Sequence, residues 1–365
     1  MSARYDVTTQ AERYVLTDRE TAAEAVIVPG AGNNVTHFRV RPAGRTEVLD
    51  ALLPPSEGSG LGSHGYGAGN PILFPFPNRV REGKYTFEGR SYQLEVNETA
   101  RGNHIHGLVS NRPWQVEATG ASEADGAWQR AFIELQSFPD AARQYPFPCR
   151  LTVTTRLRDG TLIQEIAVRN TGSARLPMGF GTHPWFPAVH PIPSRARDAG
   201  DAGAGPAVLD EDGGARAMTE VLVPADRYWE LEGLVPTGRT VPVDEHPEQF
   251  DLRTWHALDG HEYDDVFTAL RRRGDGWSEA GIRYPAAGLE LMVEASPEFR
   301  EWVLYAPTSR AVVCLEPYTG TTNAVNLEPQ GIDAGLVVLD PGQEWSGVIR
   351  TSLRSVAPSP PDPQQ

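Results

Sequence analysis

An all-β protein built as a large antiparallel β-sandwich is the fold class this sequence predicts. Three observations lead there. Gly and Pro number 36 and 31 in a chain of 365 residues, so much of its length is turns and short connections. Charged runs with helical periodicity are nearly absent. Apolar and polar residues alternate in many short stretches, the signature of half-buried strands.

The strands follow in order. Alternation over 25–28 and 35–40 marks the first two. Residues 83–87 and 91–94 flank Glu88-Gly89-Arg90 and read as a hairpin. Strands at 114–118 and 130–135 come next. The clearest hairpin places Leu151, Val153, Thr155 and Leu157 before Asp159-Gly160, and Leu162, Gln164, Ile166 and Val168 after it. Asp-Gly supplies the positive φ angles that a two-residue hairpin turn needs. Further strands are expected at 281–284, 289–294, 302–305 and 312–315, with 336–339 and 345–353 closing the last sheet.

Residues 194–217, rich in Ala, Gly, Asp and Arg, read as a surface insertion. The Pro-rich segment 356–365 reads as a disordered tail. No internal repeat and no break in composition divides the rest, so 1–355 is expected to form one domain.

Net charge is −15, with no basic stripe to track phosphates. This excludes a nucleic-acid binder and disfavours anionic substrates. Cys149 and Cys314 are the only cysteines, so no disulfide framework is expected. The N-terminus lacks a signal-peptide core. No apolar run approaches the roughly 18 residues of a membrane span. A cytoplasmic monomer or homodimer without membrane contact is expected.

Candidate chemistry sits in five places. Asn78-Arg79 follows Pro71-Ile72-Leu73-Phe74-Pro75-Phe76-Pro77, whose prolines rule out a central strand and leave a stiff loop. The Arg79 fork either grips substrate oxygens or ties down loop carbonyls. His104 and His106 are two apart: in a strand they share a face, in a turn they need not. His-x-His also invites a metal, but no carboxylate follows through Gly107, Leu108, Val109, Ser110 and Asn111, so no metal is expected. His183 lies between Gly181-Thr182 and Pro184-Trp185-Phe186, a setting for an imidazole beside sugar-stacking aromatics or for a packing histidine.

Asp264 and Asp265 adjoin in a strand-like run, so one faces a pocket and the other solvent. Glu316 ends the apolar run 311–315 before Pro317. It is either a solvated strand end or a rigidly held base whose pKa burial would raise.

Taken together and in this order, Asn78-Arg79, Asn103-His104-Ile105-His106-Gly107, Tyr145-Pro146-Phe147, Gly181-Thr182-His183-Pro184-Trp185-Phe186, Tyr263-Asp264, Leu315-Glu316-Pro317 and Asn323-Ala324-Val325-Asn326 resemble the aldose 1-epimerase (galactose mutarotase) family. The resemblance implies a supersandwich with a sugar in an open cleft. It implies that His183 is the general acid at the ring oxygen and Glu316 the general base at the anomeric hydroxyl. It implies that His106 bonds near the ring oxygen and that Arg79 and Asp264 bind hydroxyls. Asn78, His104 and Trp185 are expected to line the same site. A small-molecule sugar is the expected partner, and no cofactor is implied.

The sequence departs from the family's usual pattern in three places. Pro317-Tyr318-Thr319-Gly320 follows the Glu in place of Thr-Gln and Pro-Asp, Asp265 stands where a His is common, and His104 is an extra imidazole. These changes leave the substrate open. One alternative is a hexose phosphate, met by Arg79, Arg81 and Arg101. Another is a carbohydrate-binding or sensing protein without catalysis.

Overall fold

The computed structural model describes residues 3–55, 66–190 and 218–356. The expected insertion at 194–217 and the tail beyond Val356 lie outside the described residues. Strands dominate, as expected.

Nine strands form one large sheet. Its order is Gln115–Ser122, Gly126–Glu134, Cys149–Arg158, Thr161–Asn170, Glu344–Ser355, Leu289–Ala295, Ser278–Tyr284, Glu220–Leu222 and His256–Ala257. The Asp-Gly hairpin forms in the expected register, with Leu157 opposite Leu162 and Arg158 opposite Thr161. Asp159 and Gly160 both take positive φ. The segment expected to close the last sheet does something else. Glu344–Ser355 lies in the middle of this sheet, between Thr161–Asn170 and Leu289–Ala295. Among the described residues, Val337–Leu339 pairs only with Leu176–Met178. Local alternation identifies a strand but not its neighbours, which long-range pairing sets.

The second large sheet runs Val235–Pro242, Ala225–Glu232, Tyr263–Leu270, Glu301–Ala306, Val312–Tyr318, Gly181–Thr182 and Ile72–Leu73, with Phe186–Pro187 paired to Val312–Tyr318 off this path. A smaller sheet comprises Tyr5–Gln10, Arg13–Asp18, Ala23–Val28, Asn34–Val40 and Leu49–Asp50. Buried Asp18 ties it to the Asp-Gly turn: its carboxylate accepts from Arg4 Nε at 2.8 Å and from the Gly160 N–H at 3.2 Å. One contiguous apolar core collects residues from all three sheets, including Leu16, Leu151, Ile166, Leu291, Trp302 and Leu315. Both cysteines are buried and unbonded.

Three adjacent strands of the second sheet position the site. Register sets Val266 opposite Val303, and Val303 opposite Glu316. It likewise aligns Asp264, Tyr305 and Cys314. Opposed residues in an antiparallel ladder share a face, and the next residue along points the other way. The intervening row of Asp265, Leu304 and Leu315 therefore faces the main core, and Glu316 faces out of the sandwich.

That outer face is not simply wet. Two further apolar clusters cover it, one with Leu73, Trp229, Val266, Val303 and Tyr318, the other with Trp185, Val312 and Cys314. Glu301 is buried beside the first. Its carboxyl takes the Trp229 indole N–H at 3.2 Å and the Thr268 hydroxyl at 3.1 Å, and burial raises its pKa from 4.5 to about 8.

The folded state thus keeps a proton on Glu301 that the unfolded chain loses above pH 4.5. This contribution to stability is complete below that pH and falls as pH rises toward 8. About 3 kcal/mol of it, to order of magnitude, is lost by pH 7. Glu301→Gln copies the neutral acid, so the melting temperature of the variant should fall less than that of the wild type between pH 5 and 8. Parallel curves would show that Glu301 is ionised in the fold.

Candidate active site

Glu316 does not end its strand. Val312–Tyr318 runs through Pro317, so the carboxyl sits within a ladder and is 2% exposed. Pro317 is tolerated because the flanking strand Gly181–Thr182 meets this one at a single position, Gly181 opposite Tyr318. Residues 314, 316 and 318 alternate onto one face. The Cys314 sulfur and the Tyr318 hydroxyl therefore flank the carboxyl, and Tyr318 donates to Glu316 Oε2 at 2.5 Å.

His183 arrives from the neighbouring loop. Pro184 after it favours extended backbone, and the His183 N–H donates to the Pro71 carbonyl at 3.0 Å. This pins it to the stiff proline loop. The imidazole stacks on Trp185, with centroids 4.9 Å apart and planes 8° apart. The Arg310 guanidinium lies 4.4 Å from the Trp185 ring centre. The indole N–H donates to the Tyr66 carbonyl at 2.9 Å. His183 Nε2 then stands 3.5 Å from Glu316 Oε1.

The remaining candidates come from the Asn78 and His106 turns. Arg79–Val80 pairs with His104–Ile105, and the His106 N–H donates to the Asn78 carbonyl at 2.9 Å. His106 takes φ of 65°, so the chain turns there and the two histidines separate. Gly107 continues the turn hard against the proline loop: a Cβ there would meet the Phe74 carbonyl oxygen at 2.2 Å. His106 ends edge-on to His183, with centroids 5.1 Å apart, and 4.6 Å from Tyr66. His104 instead directs Nδ1 to the Glu95 carbonyl at 2.7 Å.

Arg79 is held on two sides. Its Nε donates to both Glu98 oxygens at 3.1 Å, and a terminal nitrogen lies 3.5 Å from Asp264. The Asn78 side-chain oxygen accepts from the Arg79 backbone at 2.9 Å and from its guanidinium at 3.2 Å. Beneath the proline loop, Tyr145 and Phe147 pack with Phe74 and Phe76, which keeps this frame rigid.

Electrostatics follow from burial. Desolvation drives the Glu316 pKa well above 4.5, against smaller opposing effects of the Tyr318 hydrogen bond and Arg79. Desolvation also lowers His183 to about 3, helped by Arg310 and Arg79. His106 falls well below 6.5, again chiefly by burial. Burial thus favours the neutral form of both groups, a protonated carboxyl and an unprotonated imidazole. The Nδ1 atoms of His106 and His183 have no hydrogen-bond partner among the described residues.

The structure thus brings together His183, Glu316, His106, Arg79, Asn78 and Asp264. Two expectations change. The Trp185 ring lies against His183 and Arg310, so it orients the imidazole and is not a free stacking face. His104 is tied to Glu95. The acidic pair also differs from expectation, because Asp265 faces the core side and burial raises its pKa to about 6. Tyr318, Glu98, Tyr66 and Cys314 escaped sequence reasoning. Two-residue spacing from Glu316 was the available signal for Tyr318 and Cys314.

His183, Cys314 and Glu316 place ligand-type atoms within 4.8 Å of one another. The 3.5 Å between His183 Nε2 and Glu316 Oε1 is a spacing that two zinc bonds of about 2.0–2.3 Å can span, so distance does not decide against a metal; the support of its ligands does. A metal-bound histidine donates its second nitrogen to an orienting acceptor, which His183 Nδ1 lacks here.

Comparison with known proteins adds an independent line. The family model described as aldose 1-epimerase matches residues 14–196 and 214–352. The chain is 34% identical over 116 residues to the protein YihR of Escherichia coli K12, covering 32% of this chain and 35% of that protein. It is 29% identical over 227 residues to the galactose mutarotase of Mus musculus, covering 59% of this chain and 56% of that protein. The chain thus spans about a third and about half of these two curated relatives. A galactose mutarotase-like protein from Clostridium acetobutylicum superposes with a TM-score of 0.78 at 20% identity, covering 96% of this chain and 98% of that one, which shows a shared fold.

The missing acceptor at His183 Nδ1 predicts sub-stoichiometric zinc in purified protein by plasma mass spectrometry. Stability and any activity should survive dialysis against a chelator. A full equivalent that resists dialysis, lost in Cys314→Ala, would refute this.

Proposed function

The chain belongs to the aldose 1-epimerase family, and on that premise we propose that it interconverts the α and β anomers of a free aldohexose by acid–base ring opening and reclosure. The observation that carries this reading is the 3.5 Å approach of His183 Nε2 to Glu316 Oε1, with both groups buried.

Ring opening removes the proton of the anomeric hydroxyl and delivers one to the ring oxygen. Glu316 takes the first and His183 gives the second. The C1–ring oxygen bond breaks with its electrons on the ring oxygen, and the C1 carbonyl forms. Rotation about C1–C2 and reversal of both transfers give the other anomer. The pair holds one proton before and after this cycle. A neutral pair and an ionised carboxylate–imidazolium pair have the same proton count, so substrate hydroxyls need only redistribute that proton.

The other side chains support binding. Arg79, fixed by Glu98 and Asp264, presents donors in a set orientation, and Asp264 offers acceptors to hydroxyls. His106 stands beside His183, near the position of the ring oxygen. A phosphorylated substrate is the weaker reading. Arg79 is already neutralised by Glu98 and Asp264, and Arg101 lies 3.3 Å from Glu98. Two buried free thiols support assignment to a reducing cytoplasm, and among the described residues no helix is long and apolar enough to cross a membrane.

The test is polarimetry on freshly dissolved α-D-glucose and α-D-galactose. The protein should speed equilibration of at least one of them. His183→Ala and Glu316→Gln should each reduce kcat by about 10²–10⁴-fold. Unaltered rates in both variants would reject the assigned pair, and binding without acceleration would favour a sensing role.

The one-proton requirement makes the pH profile bell-shaped. Activity should fall on the acid side as the imidazole takes a second proton and on the alkaline side as the pair loses its last one. A raised Glu316 and a lowered His183 push these limbs apart, so the plateau should be broad. A rate that climbs steadily with pH would contradict the scheme.

A further inference from the structure

We propose that Tyr318 is a positioning residue for Glu316, holding Oε2 so that Oε1 is the oxygen that exchanges the proton with the sugar. This rests on the acid–base reading above.

Four observations support it. The Tyr318 hydroxyl donates to Glu316 Oε2 at 2.5 Å while Oε1 faces His183 at 3.5 Å, so the two oxygens have different partners. Tyr318 is fully buried, so its hydroxyl is not a solvent contact. Strand alternation places residues 316 and 318 on one face, which makes the bond a property of the backbone. The ring also has a dedicated space: a Cβ on Gly181, its ladder partner, would lie 2.3 Å from Tyr318 Cδ1. The glycine of Gly181-Thr182-His183 therefore makes room for the residue that orients Glu316, and the same segment delivers His183.

A carboxyl without this bond would be free to turn and offer either oxygen, and its anion would lose a donor. Tyr318 keeps its own proton throughout. The charged and titratable groups facing Glu316 are His183, Cys314, Tyr318, Asp264 and Arg79, with His106 beyond His183. Glu301 lies opposite Tyr318 in the ladder, but its carboxyl is engaged by Trp229 and Thr268.

The experiment compares wild type, Tyr318→Phe and a protein with 3-fluorotyrosine at position 318. It reads kcat, KM and the alkaline limb of the pH profile. It also follows the Glu316 carboxyl carbon by ¹³C NMR through a pH titration, assigned by its absence in Glu316→Gln. Tyr318→Phe should lower kcat about 10- to 100-fold, the worth of a hydrogen bond to a charged group, with KM within about twofold. The alkaline limb and the NMR midpoint should both rise by about one unit or more. The more acidic fluorophenol should move both downward. A kcat within about twofold of wild type and a stationary midpoint would reduce Tyr318 to packing. If the wild type accelerates no sugar, the catalytic reading fails and the NMR midpoints alone decide whether Tyr318 positions the carboxyl: a stationary midpoint overturns the proposal. If Tyr318→Phe does not fold, the fluorotyrosine protein decides by the direction of its shift.

Discussion

Register between three strands, Tyr263–Leu270, Glu301–Ala306 and Val312–Tyr318, is the constraint on which the site depends. A slip of one residue would send Glu316 into the main core and Leu315 to the outer face. Nothing local to Glu316 fixes that choice. It is fixed by apolar demand on both faces, with Trp302, Leu304 and Leu315 on one side and Val266, Val303 and Tyr318 on the other. The site is therefore held by the same packing that stabilises the sheet.

Burial explains the chemistry as well as the geometry. A carboxyl and an imidazole in contact with water would titrate independently near their ordinary values. Covered by Trp185, Tyr318 and the proline loop, each resists its charged form. A pair biased toward its neutral form suits the proposed reaction, which moves protons but keeps their number. The arginine of the site is treated in the opposite way, ionised and flanked by Glu98 and Asp264.

The scaffold around this pair is made of stiff parts. Gly107 lets the His106 turn touch the Phe74 backbone, and Tyr145 and Phe147 support that loop from below. His183 hangs from the Pro71 carbonyl and is stacked on Trp185. The proline loop joins several of the motifs: the Gly107 turn meets it at Phe74, His183 at Pro71, and Tyr145 at Phe74 and Phe76.

The sequence by itself determined the strand content, the Asp-Gly hairpin, the family and the residue types of the proposed acid–base pair. These depend on local alternation, turn chemistry and motif order, all of which are written in short stretches of chain. Only the tertiary structure decided that Glu344–Ser355 lies at the centre of a sheet, that Glu316 is mid-strand and buried, that Asp265 faces the core side, and that Trp185 serves His183. It also decided that Tyr318 and Glu98 complete the site while His104 stays tied to Glu95. The physical reason is common to all of these. Which face a side chain shows, and whether water reaches it, depends on partners far along the chain, and no local pattern encodes their position.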